Sequence, residues 1–117
     1  MTMTDLLAPA GALASAVLGA LGLCAPLRAA RMVGLSPLGA RGVSELRATY
    51  GGLFLGLGLA ALLWQQPAAY GVAGTAWLGA AVARLASIVL DRSVSALNIG
   101  GVALEAVIGA LLLAGVW

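Results

Sequence analysis

The sequence contains no histidine and no lysine, a single cysteine, and charged side chains at only 9% of its 117 positions. Each shortage excludes something. Without histidine, Ser-His-Asp and Cys-His nucleophiles cannot be assembled in their usual form, and most zinc and haem sites lose their main ligand. The lone Cys24 permits neither an internal disulfide nor a cysteine cluster. A soluble domain carries roughly a quarter charged residues, so there is too little polar side chain here to cover a water-facing globule. What is present is apolar: 62% hydrophobic residues and a mean hydropathy of +1.08. The composition describes an all-α integral membrane protein, a single domain by length.

A helix rises 1.5 Å per residue, so crossing a hydrocarbon core of about 30 Å takes roughly 20 apolar residues. Four stretches qualify, at about 6–27, 44–64, 68–90 and 94–117. They are Ala/Leu/Gly-rich and lack the alternation of strands. The first has no basic residue before its apolar run and is longer than a signal-peptide core, so it is expected to be a retained span. The second and third connections are short, which leaves an up-down-up-down bundle.

Arginine placement orients the bundle. Arg28, Arg31 and Arg41 lie between spans one and two, Arg47 just inside span two, and Arg92 between spans three and four. The positive-inside rule therefore expects both arginine-bearing loops in the cytoplasm and both termini outside. Trp64, Tyr70 and Trp117 then fall at the outer interface, where aromatic belts form. Residues 28 to 43 make the one substantial loop. Arg28 to Met32 would form an amphipathic turn on anionic headgroups, or the arginines simply fix topology.

Lipid tails are as apolar as leucine, so membrane helices associate through close backbone approach at small residues. The 17 glycines are spaced for that. Span one presents Gly11, Ser15, Gly19 and Gly22. Span two presents Ala48, Gly52, Gly56 and Ala60. Span three presents Gly71, Thr75, Gly79 and Ala83, and in span four Gly101 and Gly109 bracket Glu105.

Ionisable residues inside spans usually face the bundle interior. At about 100° per residue, Glu45 shares a face with Thr49, Gly52 and Gly56, whereas Arg47, free to snorkel, lies opposite with Tyr50 and Phe54. Arg84 shares its face with Trp77, Ile88 and Asp91, about 10 Å inside the span boundary. Glu105 shares its face with Asn98, Gly101 and Gly109, about 15 Å from the start of span four and close to the midplane. An ionised carboxylate at that depth must be paired or protonated. The expected arrangement is a buried cluster of Glu45, Arg84 and Glu105, with Tyr50, Asn98 and Asp91 as hydrogen-bonding neighbours. Two carboxylates on one guanidinium would leave one excess negative charge. A midplane carboxyl beside a fixed cation suits a proton-coupled or cation-binding site, and it equally suits a static ion pair that fixes helix register.

The run Ser44-Glu45-Leu46-Arg47-Ala48-Thr49-Tyr50-Gly51-Gly52, with Arg84 in span three and Glu105 in span four, resembles a bacterial family of uncharacterised four-helix inner-membrane proteins. That family is similar to the DoxX-like group of small bundles. The likeness runs from about Gly42 to the C-terminus. It implies a fold and a location, and by analogy with the wider group a link to quinone-linked respiratory complexes or to assembly roles. Small multidrug transporters also have four spans and a membrane glutamate, but theirs lies in the first span. Here the first span has no ionisable residue after Asp5.

Two functions are therefore expected in competition. One is binding of a small amphiphile or an ion, with proton coupling, in an intramembrane cavity around Glu45, Arg84 and Glu105. The other is an accessory or assembly role, in which the small-residue faces hold a second copy or another membrane protein. Lipids are partners in either case. Enzymatic action on a lipid is disfavoured, because no metal site, nucleophile dyad or phosphate loop is visible, and no cofactor is implied. Nucleic acid is excluded as a partner: the pI near 9.3 reflects arginines that topology explains.

Overall fold

The computed structural model describes Thr2 and residues 4–117. Helix α1 covers Thr4–Cys24 and α2 covers Pro26–Val33. Helix α3, Gly39–Glu45, continues without a break through a π-helical stretch, Leu46–Leu53, into α4, Phe54–Trp64. Helix α5 covers Pro67–Leu90 and α6 covers Ala96–Leu113. Four continuous helices are long and apolar enough to cross a bilayer: Asp5–Cys24, Gly39–Trp64, Pro67–Leu90 and Ala96–Leu113. The fold is the expected all-α, up-down-up-down bundle of a multi-pass membrane protein, and no strand occurs among the described residues.

The fourth span is shorter than expected, ending at Leu113 rather than near residue 117, and two other boundaries differ for physical reasons. The first span stops at Cys24 rather than near residue 27. A proline disfavours helical backbone at the residue before it, and Ala25 accordingly leaves the helix at φ −135° before Pro26 opens α2. The second span starts at Gly39, inside what the sequence presents as loop. Between them α2 is a genuine amphipathic helix. Pro26, Ala29 and Ala30 are buried against the bundle, whereas Arg28 and Arg31 are exposed with Leu27 and Met32. Gly34 closes it in the left-handed conformation, φ 75°, which glycine adopts without steric cost.

The packing is inside-out relative to a soluble bundle. Ala8, Ala12, Ala61 and Ala73 are buried around Tyr70, Trp77, Ile108 and Leu112. Leu13, Val17, Leu63, Val72, Val82 and Val89 face outward. Only a lipid environment makes that distribution favourable, because there small residues supply close packing and large apolar ones meet the tails. A methyl group on Gly51 would stand 2.8 Å from the Leu23 Cα, and one on Gly74 would stand 3.0 Å from the Gly109 carbonyl oxygen. At these points α1 meets the π stretch, and α5 meets α6, backbone against backbone.

The small-residue face of the second span is not the expected one. Gly51 and Gly58 are buried against α1, while Gly56 has no neighbouring group within 4 Å of an added methyl. A π turn carries an extra residue, so positions on either side of Leu46–Leu53 do not follow one 100° progression. The ridge Ala48, Gly52, Gly56 and Ala60 consequently turns away from α1. Tyr70 is also displaced from expectation. It is buried against Ala8 and Gly115 rather than standing in an outer aromatic belt, whereas Trp64 and Trp117 are exposed.

Around the bundle the order is second span, α1, α6, α5. The second span and α5 are joined by the short turn at Gln65 and Gln66, yet they pack on each other only sparsely. That leaves a seam along one side of the bundle.

Candidate functional site: an ion pair on an intramembrane cavity

Arg84 on α5 and Glu105 on α6 form a two-point ion pair. Nε donates to Oε1 at 2.7 Å, and Nη2 donates to Oε2 at 3.1 Å. Nη1 donates to Asn98 Oδ1 at 3.1 Å. The fork of the guanidinium matches the carboxylate, the strong geometry for such a pair. Asn98 is held in turn: its Nδ2 donates to the Ser93 carbonyl at 2.8 Å, and its backbone N–H donates to the Ser95 side chain that caps α6, at 3.1 Å. The connection between α5 and α6 therefore orients Asn98, and Asn98 orients Arg84. Glu105 is buried, with 7% of its surface exposed.

Gly101 makes the room. A methyl group there would lie 2.8 Å from Arg84 Nε and 3.0 Å from its Cδ. A residue with any side chain would occupy the path the arginine takes to the carboxylate four residues further along α6.

Of the expected cluster, Arg84, Glu105 and Asn98 come together, and Tyr50 lines the same cavities as the ion pair. Glu45 does not join them. It is exposed at the α3 end of the second span and lines a separate shallow cavity with Pro37, Gly42 and Thr49. Thr49, Gly52 and Gly56, with which Glu45 is expected to share a face, are exposed as well, so that side of the second span does not turn toward Arg84. Asp91 also lies elsewhere, exposed and accepting a hydrogen bond from the Ser87 hydroxyl. Arg84–Glu105 is the one ion pair among the described residues. The group is therefore neutral, with one carboxylate on one guanidinium, rather than carrying an excess negative charge.

Two cavities meet at this pair. One, of about 490 Å³, lies in the seam between the second span and α5, and the other, of about 240 Å³, lies between α1, α2 and α6. Tyr50, Phe54, Trp77, Arg84 and Glu105 line both. The rings make a continuous wall: Tyr50 meets Phe54 edge-on at 5.6 Å, and Phe54 meets Trp77 at 4.5 Å between centroids.

Sequence reasoning missed the group that fixes this wall. Ser15 is fully buried on α1, donates to the Phe54 carbonyl at 2.8 Å and accepts from Trp77 Nε1 at 3.0 Å. Phe54 is the first residue of α4, directly after the π stretch. One hydroxyl thus ties α1, the second span and α5 together. Ser15 reads only as another small residue at a spacing of four, so its partners were not visible. Arg47, expected to snorkel, instead donates from Nη1 to the Leu23 carbonyl at the end of α1, where a cation is favoured by the helix dipole. No cluster of metal-ligating side chains occurs among the described residues.

Fold and site together define a small four-span membrane protein with a neutral ion pair opening on an intramembrane cavity. The chain belongs to the family described as a domain of unknown function, DUF4345, whose model matches residues 4–116. No curated protein and no solved structure matches it.

Proposed function

We propose that this protein binds a small amphiphile within the membrane, with the polar end of the ligand at Arg84 and Glu105. The observation that carries this reading is the placement of the bundle's one described ion pair on cavities walled by Tyr50, Phe54 and Trp77. A pair that only fixed helix register would be covered on all sides, as a dry contact. Here part of the arginine side chain remains accessible, 25% against 9% for Glu105, and the cavity it meets is mostly aromatic and aliphatic. An apolar pocket with a few convergent polar groups is the usual form of a small-molecule site. Neutrality of the pair favours an amphiphile over a free ion. The resemblance to the DoxX-like group is consistent with a bacterial inner-membrane location. Arg28, Arg31, Arg41 and Arg92 favour an orientation with both termini outside and α2 at the cytoplasmic headgroups.

The test is native mass spectrometry of the protein released from bilayers. Wild type is expected to retain one amphiphile per chain, and the Arg84→Gln/Glu105→Gln double variant to lose it. The double variant removes both charges together, so neither is stranded. The same retained mass in both proteins would overturn the reading.

A second reading, an accessory role beside another membrane protein or a second copy, is favoured by one observation. Thr75 and Gly79 lie exposed on α5, and nothing stands within 4 Å of a methyl group on Gly79. Such a small-residue face is where a further helix approaches closely.

A further inference from the structure

We infer that the ligand is a neutral lipid with a carbonyl-bearing head, and that an acyl chain of it lies in the seam between the second span and α5. The inference rests on the amphiphile site proposed above and adds head charge and chain position.

The chain position follows from the continuity of the seam. Beyond the cavity at Arg84 lies another of about 590 Å³, lined by Gly52, Gly56, Ala60, Val72 and Ala73 and reaching Trp64. Leu53 and Leu57 line both, so the two cavities adjoin along the seam, and we treat them as one groove. From Arg84 back to Ala69 along α5 the groove runs about 22 Å, more than half of a hydrocarbon core of about 30 Å. Its polar groups are concentrated at the Arg84 end; the far end is glycine, alanine, valine and leucine until Gln66. A molecule polar at one end and apolar along a lipid-length tail matches that distribution. Each part of the groove lies within the volume range of small-molecule sites, room for a head at one end and an acyl chain along the other. The seam also explains the outward turn of Gly52 and Gly56, which pack on no neighbouring helix.

The head follows from counting donors and charges. A guanidinium has five N–H donors, and Glu105 and Asn98 take three of them. Arg84 also meets the Tyr50 side chain, which lines both cavities; a phenol that accepts from a guanidinium has its own O–H left to donate, so a head placed there accepts hydrogen bonds. An ester or amide carbonyl does so without adding charge. An anionic head would bring a second negative charge to a guanidinium already matched by Glu105, in a setting where uncompensated charge is costly.

The experiment uses the full chain in nanodiscs with Trp64→Phe and Trp117→Phe, so that buried Trp77 is the sole tryptophan reporter. Its emission is titrated with a monoacylglycerol brominated in mid-chain, and with the same brominated chain on a sulfate head. Saturable quenching by the monoacylglycerol is expected, with an apparent affinity about tenfold weaker for the sulfate. Gly56→Leu, which fills the groove at a position with open space around it, is expected to weaken binding by about tenfold. Gly52→Leu provides a second filling variant, and Gly79→Leu, outside the groove, is expected to change nothing. Equal affinity for the two heads would overturn the neutral head. Binding unaffected by both filling variants would overturn the chain position. Either result would leave the amphiphile site standing, whereas no saturable quenching by either compound would remove the site as well.

Discussion

Gly101 and Arg84 are matched: the missing side chain of one is the space occupied by the other, and a methyl group added to Gly101 would stand 2.8 Å from Arg84 Nε. The guanidinium is the far end of a flexible side chain, but its two bonds to Glu105 hold it in place. Gly101→Ala should therefore displace Arg84 from Glu105 and lower stability by about 1–3 kcal/mol, the usual cost of overpacking. Thermal unfolding in detergent checks this. An unchanged midpoint would mean that the arginine has another way to reach the carboxylate.

Arg84→Ala should destabilise more than Glu105→Gln. The first strands a carboxylate that is almost fully buried; the second leaves an arginine that keeps Asn98 and an amide acceptor. Removing one partner of a buried pair costs about 3–5 kcal/mol, and the partial exposure of Arg84 places this case toward the lower end. The double variant Arg84→Met/Glu105→Leu should recover most of the loss. A double-mutant cycle by chemical denaturation measures it; equal losses for the two single changes would contradict the geometry.

Ser15→Ala should cost about 1–3 kcal/mol, the penalty for leaving a buried polar group unpaired, because both the Trp77 indole N–H and the Phe54 carbonyl lose their partner. In protein with Trp77 as its sole tryptophan, the emission should also shift, since the ring is no longer tethered. Ser15→Thr is no rescue, as Ser15 has no accessible surface for an added methyl. An unaltered midpoint and unaltered emission together would show that the tether contributes nothing.

The spans themselves were legible because their signal is long, repetitive and compositional. So was the position of Arg84 and Glu105 well inside their helices, which is counted from the span ends. Part of what was not legible lies around one local feature. Leu46–Leu53 winds as a π-helix, and the side of the second span that carries Glu45, Gly52 and Gly56 is exposed rather than turned inward. Gly51 and Gly58 face α1 instead, and Glu45 stays out of the site. Tyr70 misled for a different reason. Its position at a span end suits an interfacial aromatic, but Gly115 leaves a recess that its ring fills.

Self-association supplies a further prediction. If a second copy packs on the exposed Thr75 and Gly79 face, Gly79→Leu should shift the protein toward monomer without lowering its unfolding midpoint, because the leucine meets open space within the bundle itself. Single-molecule photobleaching in bilayers counts the subunits. A wild-type protein that is monomeric there would end this second reading.

The most direct measurement is a distance. Wild-type protein with nitrogen-15 in its arginine guanidinium groups is reconstituted with a monoacylglycerol carrying carbon-13 at its ester carbonyl. Dipolar recoupling by magic-angle-spinning NMR then reads the separation between them. A hydrogen bond from Arg84 to the carbonyl oxygen predicts a carbon-to-nitrogen distance of about 4 Å, lost in the Arg84→Gln/Glu105→Gln variant. No measurable coupling in the wild type, with the amphiphile present in the same bilayers, would contradict an intramembrane amphiphile site at Arg84 and Glu105.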